Sequence, residues 1–116
     1  MRQDSILSIL KEYWGYDGFR LQQEQIISSV VAGHDTLGLL PTGGGKSITY
    51  QVSGLARGGL TLVITPLIAL MEDQVNALLH RGIRATVLHS GLTPNEVSIR
   101  LNNAVLGIYS FLYLSP

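Results

Sequence analysis

Residues Leu39–Tyr50 read LLPTGGGKSITY. An apolar pair and a proline lead into three consecutive glycines, then Lys46, Ser47 and a stretch able to form a helix. Glycine loses the most backbone freedom on folding, so a run of three weakens any regular element. In return it permits close approach: N–H groups with no Cβ beside them can turn inward onto an anion. The start of a helix adds roughly half a positive charge at the same spot. Lys46 brings a mobile full charge for outer phosphates, and the Ser47 hydroxyl is a ligand suited to Mg²⁺. The expected phosphate cradle is Thr42, Gly43, Gly44, Gly45, Lys46 and Ser47, with Lys46 and Ser47 acting on the reacting phosphates. The full pattern is G-x-x-x-x-G-K-[ST]. Leu40 stands where its first glycine would be.

Working outward, DTLGLL (35–40) before the loop predicts a short apolar strand, and SITYQVSGLA (47–56) after it predicts a helix. Upstream, Ile6, Leu10, Tyr13 and Trp14 share one helical face, stopped by Gly15. Ile26, Ile27, Val30 and Val31 repeat the pattern, stopped by Gly33. Downstream, LTLVIT (60–65) is continuously apolar, as a strand covered on both faces should be. PLIALMEDQVNALLHRG (66–82) predicts a helix with Leu67, Leu70, Met71, Val75, Leu78 and Leu79 on its core side. RATVLHS (84–90) and GIYSFLYLS (107–115) are two more strands. Between them Thr93, Pro94 and Glu96 spell a helix start with a capping box. Four strands alternating with helices predict an α/β fold: a mostly parallel sheet between two helical layers.

The 116 residues suffice for one small domain. Charged residues make up only 14%, against roughly 25% in an ordinary soluble domain. So much of this chain is meant to be covered. The net charge of zero lends nucleic-acid binding no bulk support, but permits a local basic strip. With no cysteine, disulfides and thiolate metal sites are excluded. No apolar run approaches the ~20 residues of a membrane span, and the N-terminus lacks the pattern of a signal peptide. A cytoplasmic protein without membrane contact is expected. The chain stops just after an apolar strand, which reads as a fragment of a larger fold.

Three stretches narrow the function: WGYDGFRLQQEQII (14–27), LPTGGGKS (40–47) and TPLIALMEDQV (65–75). In this order and spacing they resemble the RecQ family of superfamily-two DNA helicases, over nearly the whole chain. The resemblance implies a RecA-like P-loop NTPase fold, truncated here, with residues 1–116 forming the N-terminal part of the helicase ATP-binding domain. It implies ATP and Mg²⁺ as cofactors. It also implies 3′ to 5′ helicase activity on DNA, both single-stranded and duplex with a single-stranded tail. Repair or single-strand-binding proteins would be partners, and the location would be bacterial and nucleoid-associated. The family commonly has an apolar residue at the Leu40 position.

Carried over by position, Tyr16 and Arg20 would sandwich adenine and Gln23 would hydrogen-bond its edge. An amide can pair bidentately with N6 and N7, and a guanidinium stacks on a flat ring. Leu21 replaces the family's frequent proline. Read without the family, this is an ordinary amphipathic helix with a polar first turn. Thr65, Pro66 and Leu67 would touch the single-stranded DNA backbone, at a strand end that leads into a helix. Ala69 replaces a common serine there, and Glu72 does not favour phosphate. Asp73 and Gln74 suit packing or loop anchoring, and Leu70 and Val75 are core. His89 lies at the carboxyl edge of a strand, where ligands bind, but a lone loop histidine is the plainer reading.

ATP hydrolysis in this class needs an acid pair after a further strand. None of the eight acids here holds that position. The parent protein would hydrolyse ATP, whereas this fragment alone would be inactive. Two alternatives are another P-loop NTPase, such as a nucleotide kinase, and a non-hydrolysing nucleotide-binding module. The kinase would need a basic cluster that Arg57, Arg81, Arg84 and Arg100 do not form in sequence.

Overall fold

The structure, a computed structural model, describes residues 3–20, 22–40 and 45–115. It divides into two compact units, Met1–Gly58 and Gly59–Pro116.

The first unit is helical. Helix α1 (Gln3–Trp14) buries Ile6 and Leu10, four residues apart and so on one face. Gly15 ends it in the left-handed region (φ 73°), its N–H bonded to the Lys11 carbonyl at 3.1 Å. Helix α2 (Gln23–Val31) contributes Ile27, and helix α3 (Lys46–Arg57) contributes Val52. Ile6, Leu10, Ile27 and Val52 form the core, flanked by Leu7, Trp14, Phe19, Val31 and Ile48. The last carbonyls of α2 lack intrahelical partners. Arg57 of α3 supplies one, donating from Nη1 to the Val30 carbonyl at 2.9 Å.

The strand expected over Asp35–Leu40 is not present. A strand needs a neighbour for its hydrogen-bond ladder, and the described residues of this unit contain none. The segment instead runs irregularly along α2. Thr36 Oγ1 lies 2.8 Å from Ser29 Oγ, and a Cβ at Gly38 would fall 2.9 Å from Ile26 Cδ1. Two of its three leucines face solvent, Leu37 at 85% and Leu39 at 76% exposure, while Leu40 is half-buried.

The second unit is α/β. Strands β1 (Thr61–Ile64), β2 (Ala85–Leu88) and β3 (Phe111–Leu114) alternate with helices α4 (Ile68–His80) and α5 (Pro94–Val105). All pairings are parallel and the order is β1-β3-β2, so the last strand is central. That position accounts for the burial of Phe111, Leu112 and Tyr113. The α/β class with a parallel sheet, of the kind a RecA-like domain carries, is as expected, with three strands among the described residues where four were predicted.

Two core assignments need correction. Strand β1 is not covered on both faces, since Leu62 and Ile64 are exposed while Thr61 and Val63 are half-buried. It is an edge strand with one open face. In α4, which packs against β2, only Met71, Val75 and Leu78 are buried. Leu70 is 52% exposed, and Leu67 and Leu79 are likewise open. Residues at i, i+4 and i+7 (71, 75, 78) make a narrow stripe, and positions one residue to either side turn off it. Helix α5 starts as predicted. The Thr93 hydroxyl accepts from the Glu96 N–H at 3.1 Å, and Glu96 Oε1 accepts from the Thr93 N–H at 3.0 Å.

Candidate nucleotide site

Within the first unit, the turn joining α1 to α2 and the N-terminus of α3 border one cleft of about 460 Å³. Tyr16, Asp17, Gly18 and Arg20 line it from the turn, Gln23 from the first residue of α2, and Gly45 and Ile48 from the start of α3. The sequence-predicted residues Tyr16, Arg20, Gln23 and Gly45 are therefore brought together. Tyr16 is 52% exposed, leaving a ring face available for stacking.

Gln23 is buried, at 3% exposure, and already engaged. Its Oε1 accepts from the Arg20 backbone N–H at 2.8 Å. Its Nε2 donates to the Gly45 carbonyl at 3.1 Å. One side chain thus ties the aromatic turn to the end of the glycine run, which the sequence alone did not reveal.

Gly45 is the N-cap of α3, with φ 77° and ψ 37°. That left-handed conformation is open to glycine and costly for residues with a Cβ. Among the described residues no side chain caps the helix, and its first turn holds no acidic residue. Its N-terminal N–H groups and dipole consequently remain available to an anion. Lys46 is exposed, with no ion pair among the described residues. The Ser47 hydroxyl makes no hydrogen bond among them either, so it is free to act as a metal ligand. Thr42, Gly43 and Gly44 lie outside the described residues, as does Leu21.

Asp17, Gly18 and Ile48 were not singled out from the sequence. Ile48 also packs on the helical core, and an apolar letter in a helix carries no sign of that double duty.

In the second unit, Thr65 follows β1 and its N–H bonds to the Leu114 carbonyl at 3.0 Å. Thr65 Oγ1 accepts weakly from the Leu67 N–H at 3.4 Å. Leu67 is the N-cap of α4, which also has no side-chain cap and no acid in its first turn. Thr65, Pro66 and Leu67 therefore form an open turn at a bare helix N-terminus. His89, at the end of β2, is tied down: Nδ1 accepts from the Gly91 N–H at 3.0 Å and Nε2 lies 3.5 Å from Glu72 Oε1. It anchors a turn, in line with the plainer reading.

Residues 20–114 match the profile described as DEAD/DEAH box helicase. The chain belongs to the DEAD/DEAH box helicase family. Helicases of this family include the RecQ proteins that the motifs resembled, and similarity bears that out. The chain is 42% identical, over its whole length, to the ATP-dependent DNA helicase RecQ of Haemophilus influenzae, of which it spans 19%. It is 45% identical over 98% of its length to that of Synechocystis, of which it spans 24%. Against the ATP-dependent helicase SGS1 of Saccharomyces cerevisiae the identity is 37% over 97% of the chain and 8% of the relative. The chain thus spans about a fifth of the length of the bacterial relatives it matches.

Proposed function

We propose that this chain supplies the ATP-binding part of an ATP-dependent 3′ to 5′ DNA helicase of the RecQ type, together with part of its single-stranded DNA path. The observation that carries the reading is the cleft shared by Tyr16, Arg20, Gln23 and Gly45, opening beside the uncapped start of α3. In this reading the base lies between the Tyr16 ring and the Arg20 guanidinium. The phosphate tail then falls toward the N–H groups at the start of α3 and the Lys46 ammonium. The Ser47 hydroxyl would help hold Mg²⁺, which would supply charge neutralisation for the phosphates. ATP binding draws two RecA-like lobes together and hydrolysis parts them, so the lobes alternate their grip on the strand. Thr65, Pro66 and Leu67 offer backbone and hydroxyl contacts to DNA phosphates. DNA with a single-stranded tail, repair proteins and a nucleoid location in the bacterial cytoplasm complete the reading.

No described helix is long and apolar enough to cross a membrane. Among the described acids, Asp17 and Asp35 lie in loops and Asp4, Glu12, Glu24, Glu72, Asp73 and Glu96 on helices. None stands at the carboxyl end of a described strand, in keeping with a fragment that is inactive in hydrolysis on its own. The nucleotide-kinase reading is disfavoured by how the arginines are used. Arg57 is spent on the Val30 carbonyl, and Arg100 donates to the Val87 carbonyl at 2.7 Å.

Lys46→Ala in the full-length protein tests the site. ATP turnover should vanish while the unfolding midpoint stays, because an exposed loop-end lysine contributes little to stability. Wild-type turnover in that variant would refute the assignment. ATP stimulation by single-stranded DNA supports the helicase, phosphate transfer to a nucleotide the kinase, and neither the non-hydrolysing module. Equal affinity for ATP and GTP would remove adenine reading from Gln23.

A further inference from the structure

Gln23 has been considered so far only as a reader of the base. Its bonds in the structure point elsewhere. Both lie within the protein: Oε1 holds the Arg20 N–H and Nε2 holds the Gly45 carbonyl. The Gly45 carbonyl and the Lys46 N–H belong to one planar trans peptide, so they point in opposite directions. Fixing the carbonyl against a buried amide turns the Lys46 N–H the other way. That N–H is the first of helix α3, one of those an anion at the helix start would use.

The fit at this contact is close. A Cβ on Gly45 would sit 2.2 Å from Gln23 Nε2. Gly45 is therefore needed for the approach of Gln23 as well as for its φ of 77°.

From this we infer that Gln23 is a positioning residue for the start of α3: its bond to the Gly45 carbonyl sets the Gly45–Lys46 peptide, so that binding of a polyphosphate with no base depends on it. The inference rests on the nucleotide-site reading proposed above, and it separates from that reading by experiment. A residue that only reads adenine cannot affect a ligand without adenine.

The test uses full-length protein titrated with Mg·ATP and, separately, with Mg·tripolyphosphate. Two variants are compared with wild type. Gln23→Ala removes both bonds. Gln23→Glu keeps an acceptor for the Arg20 N–H, but places a carboxylate oxygen against the Gly45 carbonyl, and it guards against a failure to fold. Wild type is expected to bind both ligands, and each variant to bind tripolyphosphate about tenfold more weakly, the scale of one hydrogen bond. The Lys46 backbone amide resonance of the ligand-free protein should shift in both variants. Variants that bind tripolyphosphate as wild type does, with only ATP weakened, would overturn the inference and leave the base-reading role standing. So would an unmoved Lys46 resonance, or a wild type that binds ATP but not tripolyphosphate. A wild type that binds neither ligand would remove the nucleotide site itself, and the inference with it.

Discussion

Replacing Gly45 with alanine should damage the nucleotide site and the stability of its unit together. Two costs arise at the same atom. A residue with a Cβ held at φ 77° loses about 1 kcal/mol relative to glycine. The new Cβ would also stand 2.2 Å from Gln23 Nε2, so that the amide must withdraw from the Gly45 carbonyl. Losing that bond at a side chain only 3% exposed costs a further ~1 to 3 kcal/mol, because a hydrogen bond is lost away from water. Against this, alanine restricts the unfolded chain and returns ~0.4 to 1 kcal/mol. The net is a loss of about 2 kcal/mol, to be read as a lower midpoint in denaturant unfolding at unchanged slope. Gly45→Asn separates the two costs. Asparagine tolerates the left-handed region but carries the same Cβ, so it should recover only part of the loss. Titration with Mg·ATP should show at least tenfold weaker binding in the alanine variant, since the Lys46 N–H is then misdirected. An alanine variant within about 0.5 kcal/mol of wild type, the ordinary scatter for surface substitutions, would refute the argument from both φ and contact.

Two other predictions follow from burial and charge. Met71→Ala should cost about 2 to 5 kcal/mol because the side chain is fully buried, whereas Leu70→Ala beside it should cost under about 0.5 kcal/mol; denaturant melts of both decide, and equal losses would reverse the assignment of the α4 core face. Glu96 is held below the usual carboxylate range, mainly by hydrogen bonds from the Thr93 backbone N–H and hydroxyl, with Arg100 and His89 adding to the effect. A lowered folded-state pKa means the capping contribution is complete above the unfolded value of about 4.3 and is lost as pH falls through the lower folded value. An NMR titration of the Thr93 amide should therefore move only in that acid window, and Glu96→Gln should abolish the movement; a midpoint above the ordinary glutamate value would contradict the cap.

Much of the fold was legible because local rules and tertiary structure agree. The stripe Ile6 and Leu10, the capping box at Thr93 and Glu96, and the β-branched run in β1 each appear where the pattern places them. Errors came where an apolar letter does not say which way it faces. Leu37 and Leu39 look like strand core, yet a strand exists only where a neighbour completes its ladder, and they lie exposed. Leu70 looks like Met71 in composition, but a 100° step around the helix separates a buried residue from an open one.

The candidate site divides in the same manner. That three glycines, a lysine and a hydroxyl should lead into a helix is a matter of local chemistry: only residues without a Cβ let the backbone close on an anion, and the helix start supplies the charge. The sequence by itself therefore determined the family, and with it the expectation of a phosphate-bearing ligand. What tertiary structure decided is the bond from Gln23 to Gly45, twenty-two positions apart. No propensity or spacing specifies it, because it depends on how α2 and α3 pack over a shared core, and that packing alone brings a buried amide onto one carbonyl of the loop.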